Sequence, residues 1–458
     1  MPLFGRSTLL KRRNDVIPEP VMTVGIVVRP VLQMDFEGDY ELLDGSGILS
    51  GHAEICLSGG SVVLQCGSFR QTAVEEIALR PIDPDRGSFI LHGVTIGARF
   101  HWEQSEDQRF SGGVRLRKTV DGILAINVVP LEEYLASVIA SEMSSDAPGE
   151  FLRAHAVTSR SWILAQREKM RRNRPARPLP LTDDGETRLR WYDREAHLEF
   201  DVCADDHCQR FHGITLGRTP AVTRAIAETR GKVLVAGETI CDARYAKSCG
   251  GISEPYENVW DPVHVPYLVS NVDAEPRPPL PGAETEEGAR TWVRSLPDAF
   301  CNTADPDILR KSLRDVDRTT ADFYRWRVEY GQEEFAALVA RKSGVDFGPI
   351  ADLIPLERGP SGRVKLLKIV GRKRSMAIGR ELEIRRTLSP SHLYSSAFVV
   401  VKRRNGDDVP AHFTLIGAGW GHGVGLCQIG AAVMGARGYA HEAILRHYFP
   451  GTRVERIY

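Results

Sequence analysis

An α+β fold is the expectation for this 458-residue chain, a β-rich N-terminal domain followed by a mixed core with a helical insertion. Three observations carry it. Residues 22–129 break into short strand-type runs punctuated by glycine: "TVGIVVRP", "SVVLQCG", "FILHGVTIGARFHW", "GGVRLRKTV" and "GILAINVVP". Two helical patterns follow, near 130–143 and 149–170, the second with Pro148 expected in its first turn. Strand-type runs then return to about residue 415, interrupted by a helical patch at 284–345 and closed by helical segments near 428–437 and 441–447.

Taken in order, residues 1–21 are expected as a disordered basic tail and 22–129 as the β-rich domain. Residues 130–275 form the core, 276–345 the helical insertion, and 346–458 a C-terminal β-rich part that completes the core. The stretch 171–190, "RRNRPARPLPLTDDGETRLR", is basic, proline-rich and unpatterned, as expected of a solvated loop.

Composition bounds the class. With 42% hydrophobic residues, 26% charged residues and a formal net charge of −1, the chain has an ordinary soluble make-up and room for two or three domains. Near-zero charge supplies no global attraction to nucleic acid or to an acidic membrane surface. No stretch approaches the roughly 18 continuous apolar residues of a membrane helix. The N-terminus, "MPLFGRSTLLKRRNDVIPEP", is basic and proline-broken without an apolar segment, so it does not read as a signal peptide. By itself that points to the cytoplasm, or to a start that misses an export signal. The eight cysteines are too sparse for a disulfide framework, and only Cys203 and Cys208 stand close together among ligand-type residues.

The helix "LEEYLASVIASEM" places Leu131, Leu135, Val138 and Ile139 on one apolar stripe, with Tyr134 beside them. The next turn of that stripe meets Glu142. Glu132 and Glu133 fall off it, where solvated carboxylates belong. Glu142 therefore either sits half-solvated at a frayed helix end or lines a cleft. In a cleft, loss of water favours the protonated form of a carboxyl and makes it a usable acid near neutral pH.

"HLEFDVCADDHCQRFHG" packs His197, Cys203, His207 and Cys208 into twelve residues. Two thiolates and two imidazoles make a tetrahedral zinc set. The adjacent His207 and Cys208 can both ligate only if the chain turns there, and Asp205 and Asp206 favour a turn. The alternative is two buried free thiols with two surface histidines. No HExxH motif is present.

In "GAGWGHGVGLCQIGA", alternate glycines from Gly417 to Gly425 suit close backbone approach to a ligand or to another strand. No Lys-Ser or Lys-Thr follows as in a P-loop, and no dinucleotide fingerprint is present. His422, followed by Gln428 at a helix start, forms either a polar cluster lining a cleft or a packed turn.

The order of these segments resembles the stage II sporulation protein D/LytB family. "VVPLEEYLASVIASEM", "LRAHAVTSRSW", "CADDHCQRFHG", "YAKSCGG", "VWDPVHVPYL", "LERGPSGRVKLLKIVG" and "GWGHGVGLCQIGAAVMGARGYAHEAILRHYFPGT" carry the resemblance from about residue 22 to the C-terminus. It implies a peptidoglycan lytic transglycosylase acting on glycan strands stripped of stem peptides, or a non-catalytic enhancer of a cell-wall amidase. The family's catalytic glutamate falls on Glu142, although Ser144 stands where the family has proline after Glu-Met. Its structural zinc site falls on His197, Cys203, His207 and Cys208. Substrate contacts are assigned to Ser248, Gly250, Gly251, His422 and Gln428. The family places the protein outside the cytoplasmic membrane, with glycan strands and an amidase as partners.

One glutamate suffices for such a reaction. The 6-hydroxyl of the muramic acid attacks its own C1, an intramolecular step that gains high effective molarity, and no second carboxylate is needed to activate water. A third reading, a zinc hydrolase at the His/Cys cluster, requires an open metal position.

Overall fold

The computed structural model describes residues 18–97, 104–191 without 173–180, 197–314 without 206 and 217–218, and 317–458 without 319, 321 and 405–408; for Arg171 and Arg172 only the backbone is described. The expected tail up to residue 17 and Asp206 of the expected turn lie outside it. In chain order the helices among the described residues are α1 (Leu131–Glu142), α2 (Gly149–Arg172), α3 (Pro220–Thr229), α4 (Glu286–Arg294), α5 (Pro306–Ser312), α6 (Gln332–Ser343), α7 (Glu381–Thr387), α8 (Gln428–Ala436) and α9 (His441–Tyr448). The mixture of strands and helices is the expected α+β fold.

The described residues group into two compact units, one of 18–146, 197–232 and 456–458, the other of 147–191 and 233–455.

The first unit is built on a large sheet. Its strands are β1 (Val21–Arg29), β2 (Val31–Leu42), β3 (Ile48–Ser58), β4 (Ser61–Cys66), β5 (Phe69–Ala73), β6 (Glu76–Pro81), β7 (Ser88–Ile96), β8 (Gln104–Ser111), β9 (Gly113–Thr119) and β10 (Gly122–Pro130). The order runs β1-β10-β9-β6-β2-β3-β4-β5, with β7 pairing β2 and β8, all antiparallel. Period-2 alternation drives it: in β2, Leu32, Met34 and Phe36 go inside while their neighbours remain partly exposed. A short strand, Val202–Cys203, adds in parallel to Val24 and Gly25 of β1. Residues 18–20, placed in the tail by the sequence, are tied down: Glu19 pairs with Arg230 at 2.5 Å, and the Leu131 N–H donates to the Pro20 carbonyl.

Helix α1 follows β10 directly. Only Glu133 and Glu142 of its twelve residues escape full burial. The expectation that Glu132 is solvated off the stripe is therefore corrected. It is 6% exposed and accepts from the Gly231 N–H at 3.2 Å and the Tyr458 hydroxyl at 2.5 Å. Two groups brought from residue 231 and the C-terminus satisfy this carboxylate, which periodicity alone had no means of indicating. Because Glu132→Ala strands two partners inside the protein, it is expected to cost about 1–3 kcal/mol in urea unfolding. Wild-type stability in that variant contradicts the buried role.

In the second unit, α2 packs with α8 and α9. It begins at Gly149, one residue after the expected proline; Pro148 instead supplies the carbonyl that accepts from the Leu152 N–H. Part of the expected loop 171–190 is strand: Thr182–Asp183 forms the edge of a sheet and pairs with Thr187–Leu189, which pairs in parallel with Ser375–Gly379 ahead of Val364–Gly371 and Ile350–Arg358. Residues 276–345 contain α4, α5 and α6 but also the strand Arg325–Gly331, which joins Phe398–Arg403 and His412–Ala418. Around these strands and α6 gathers a core with Trp326, Phe335, Phe347, Phe398 and Phe413 fully or almost fully buried.

Candidate functional site

Glu142 ends α1 and is half-buried. Its Oε1 accepts the Arg210 backbone N–H at 3.0 Å. The helix does stop here, since Met143 is extended, but Met143 is itself fully buried and its N–H closes on the Ile139 carbonyl at 3.4 Å. The carboxylate thus sits at an anchored helix end, held by a loop that returns from residue 210.

That loop is the one carrying the His/Cys cluster. Its start is fixed to β1, where Asp201 and Thr23 exchange side-chain and backbone hydrogen bonds of 2.9–3.0 Å. Gly25 opposite is a true requirement, because a Cβ there would lie 2.4 Å from the Phe200 ring. The expected turn is present: the Cys208 N–H donates to the Asp205 carbonyl at 3.0 Å, so His207 and Cys208 need not point to opposite faces. Cys208 Sγ lies 3.4 Å from His197 Nε2 and 3.5 Å from His207 Nδ1, and Cys203 Sγ lies 3.8 Å from His207 Nδ1. Zinc–ligand bonds of about 2.0–2.3 Å give tetrahedron edges of roughly 3.3–3.8 Å, which these three separations match, and all four donor atoms lie within 4.8 Å of one another. The neighbouring Cys208 sulfur, and then burial, push the Cys203 thiol up to about 11.

Beyond the cluster the loop runs along α1. The Tyr134 hydroxyl donates to Gln209 Oε1 at 3.0 Å, Arg210 holds Glu142, and the His212 N–H donates to Ser137 Oγ at 3.2 Å. Phe211 stacks on Tyr134 with ring centroids 5.2 Å apart. Four consecutive residues after Cys208 therefore grip the helix that ends in Glu142.

The other sequence-derived site residues belong to the second unit. Ser248 is fully buried, bridges Trp420 through the backbone, and its Oγ accepts the Gly250 N–H at 3.3 Å. Gly250 has φ +77°, and a Cβ there would meet Gly419 N at 2.6 Å; at Gly251 it would meet Trp292 and the Tyr324 hydroxyl. Gly250 lets one backbone segment press against another, and Gly251 makes room for two aromatic side chains. Gln428, 1% exposed, contacts His155 Nε2 at 3.4 Å. His155 is itself buried, which pushes its pKa down to about 3 and keeps the ring neutral.

His422 differs from these four. It is half-buried and lines a cavity with Arg190, Trp260, Arg380, Glu381 and Arg385. Burial and the guanidiniums of Arg244, Arg363 and Arg385 hold its pKa well below the usual histidine range. Its Nδ1 accepts the Val424 N–H at 3.0 Å, so the neutral ring carries its proton on Nε2, and the ring is also hydrogen-bonded to the Tyr245 backbone.

Sequence reasoning missed Glu254, which is fully buried and bonded by Ser361 and Asn258. Burial raises its pKa, opposed by Ser361 and Arg363. Gly359 opposite has room for no side chain, so this carboxyl is a packed structural group. Nothing in "GISEPYENVW" distinguished it from a surface acid.

Comparison with known proteins places these features. Residues 119–235, spanning α1, Glu142 and the His/Cys cluster, match the family described as Stage II sporulation protein. Residues 254–425, which include His422, match a family described as Domain of unknown function (DUF8618). The chain is 24% identical over 242 residues to the amidase enhancer of Bacillus subtilis (strain 168), covering 50% of this chain and 32% of that protein. It is 26% identical over 330 residues to stage II sporulation protein D of Bacillus amyloliquefaciens, covering 72% and 75% of the two chains. Against stage II sporulation protein D of Bacillus subtilis (strain 168), identity is 24% over 330 residues, covering 72% and 76%. This chain therefore spans about a third of the length of the amidase enhancer and about three quarters of the other two.

Proposed function

The chain carries a domain of the stage II sporulation protein D/LytB family across residues 119–235, and on that premise we propose that it is a peptidoglycan lytic transglycosylase with Glu142 as general acid and base. The observation that supports this most is the 3.0 Å bond from the Arg210 N–H to Glu142 Oε1. It fixes a carboxylate at a defined point of a buried helix, the positional demand of acid catalysis. Protonated Glu142 delivers its proton to the glycosidic oxygen. As carboxylate it then takes the proton of the muramic acid 6-hydroxyl while that oxygen bonds to C1. The product is a 1,6-anhydro end, and no water is consumed.

His197, Cys203, His207 and Cys208 would hold a structural zinc ion. Four protein donors leave no open position for water, which disfavours the zinc-hydrolase reading. His422, half-buried and lining a cavity, is the side chain best placed among the five proposed contacts to meet a sugar directly. Ser248, Gly250, Gly251 and Gln428 would act by holding their segments. The protein would work outside the cytoplasmic membrane, where glycan strands lie. Among the described residues no helix is long and apolar enough to cross a membrane.

Incubation with stem-peptide-free glycan strands is expected to release fragments with 1,6-anhydro ends by mass spectrometry, and peptide-bearing sacculi should be cut poorly. Reducing ends with water incorporated refute the single-acid mechanism. The second reading, a glycan-binding enhancer of a cell-wall amidase, draws on the amidase enhancer named among the relatives. It predicts no cleavage by the protein alone and stimulation of an added amidase.

A further inference from the structure

We propose that Cys249, Asp273, Cys301 and Cys427 form a second, wholly buried binding site for a thiophilic divalent cation of the zinc class, apart from the His/Cys cluster. All four lie within the second unit. One donor atom of each falls within 4.8 Å of the others. The residues are 4%, 2%, 2% and 1% exposed in chain order. Cys249 and Cys301 Sγ are 3.6 Å apart, inside the roughly 3.3–3.8 Å range of a zinc tetrahedron's edges.

Two of the four donors are met by hydrogen-bond donors of their own. Cys427 Sγ accepts two backbone N–H groups, from Cys249 at 3.3 Å and from Gly430 at 3.4 Å in the first turn of α8. Asp273 is oriented on both oxygens: Oδ2 accepts the Cys301 N–H at 2.9 Å, and Oδ1 accepts the Tyr448 hydroxyl at 2.7 Å and lies 3.5 Å from His447 Nε2. Such outer partners are how metal-binding carboxylates are aimed. At Gly430 a Cβ would come within 2.4 Å of the Tyr448 hydroxyl and 2.6 Å of Asp273 Oδ2, so only glycine lets α8 approach this closely.

Three cysteine sulfurs and a carboxylate converging out of water form a donor set that a thiophilic cation would satisfy. A disulfide between Cys249 and Cys301 would use two of the sulfurs and give the third thiol and the aimed carboxylate no role. With four protein donors the ion would be structural. Cys249 stands between Ser248 and Gly250, and Cys427 directly precedes Gln428, so the ion would tie the Ser248–Gly251 turn to the start of α8. The ligands are tens to more than a hundred residues apart, without the paired spacing that marks a zinc site in a sequence. The inference does not depend on the proposed catalytic activity.

Zinc content and zinc-edge X-ray absorption on the intact chain test it, in wild type, Cys203→Ser/Cys208→Ser and Cys249→Ser/Cys427→Ser. The first double variant is expected to keep about one zinc per chain, with three sulfur neighbours and one oxygen. The second should carry about one zinc less than wild type. A metal-free Cys203→Ser/Cys208→Ser protein that remains folded overturns the proposal. So do fewer than eight titratable thiols in denatured, chelator-treated wild type, which would reveal a disulfide. Should the first double variant not fold, wild type decides: more than two sulfur neighbours per zinc on average is expected, and two or fewer overturns the site.

Discussion

Glu142→Gln is expected to abolish glycan cleavage while leaving the fold and the metal content unchanged. Glutamine is nearly isosteric, and its Oε1 can still accept the Arg210 N–H that holds the carboxylate. It has no acidic proton to give the leaving oxygen. General acid catalysis contributes about 10²–10⁴-fold, so the rate of anhydro-end formation should fall at least that far. Glu133→Gln is the matched control, because Glu133 is half-buried on the same helix and has no proposed part in the chemistry. Glu132→Gln is a poor control, since Glu132 is tied to Tyr458 and Gly231 inside the protein. Cleavage at the wild-type rate by Glu142→Gln would place the acid elsewhere.

Cys208→Ser is expected to lower zinc content by about one per chain and to destabilise the first unit markedly. Structural zinc in small domains contributes an apparent 10–16 kcal/mol of binding free energy at about neutral pH, most of which is folding free energy there. The sheet around β1 supplies stability of its own, so a large drop in melting temperature is expected and complete unfolding is not. Activity should fall with the metal even though none of the four ligands has a proposed part in the chemistry. Gln209 and Arg210 follow Cys208 directly and hold Tyr134 and Glu142, so a loosened loop releases the carboxylate. Calorimetry and elemental analysis on the same samples check both effects. Unchanged stability after verified zinc loss, or no zinc in carefully prepared wild type, contradicts the structural role.

Much of this arrangement was legible in the sequence because it is local. The period of "LEEYLASVIASEM" fixed α1 and singled out Glu142 as the one carboxylate on the apolar stripe. Residues 197–208 hold four ligand-type side chains within reach of a single turn, and Asp205 makes that turn. Glycine alternation announced close approach near Gly419, and the structure shows the approaching partner to be the backbone of Ser248 and Cys249.

What the sequence by itself determined is what short-range periodicity, turn chemistry and ligand spacing encode: an α+β chain, the course of α1 with Glu142 in its last turn, and the compact His/Cys set. Only the tertiary structure decided the contacts made across long separations. It buried Glu132 by bringing up Gly231 and Tyr458, turned Gly250 and Gly251 into packing positions, and gathered Cys249, Asp273, Cys301 and Cys427 at one point. Spacing along a chain reports proximity only within one element or turn, where backbone geometry fixes the distance between side chains. Beyond that range, proximity depends on how whole elements pack, which no local pattern records.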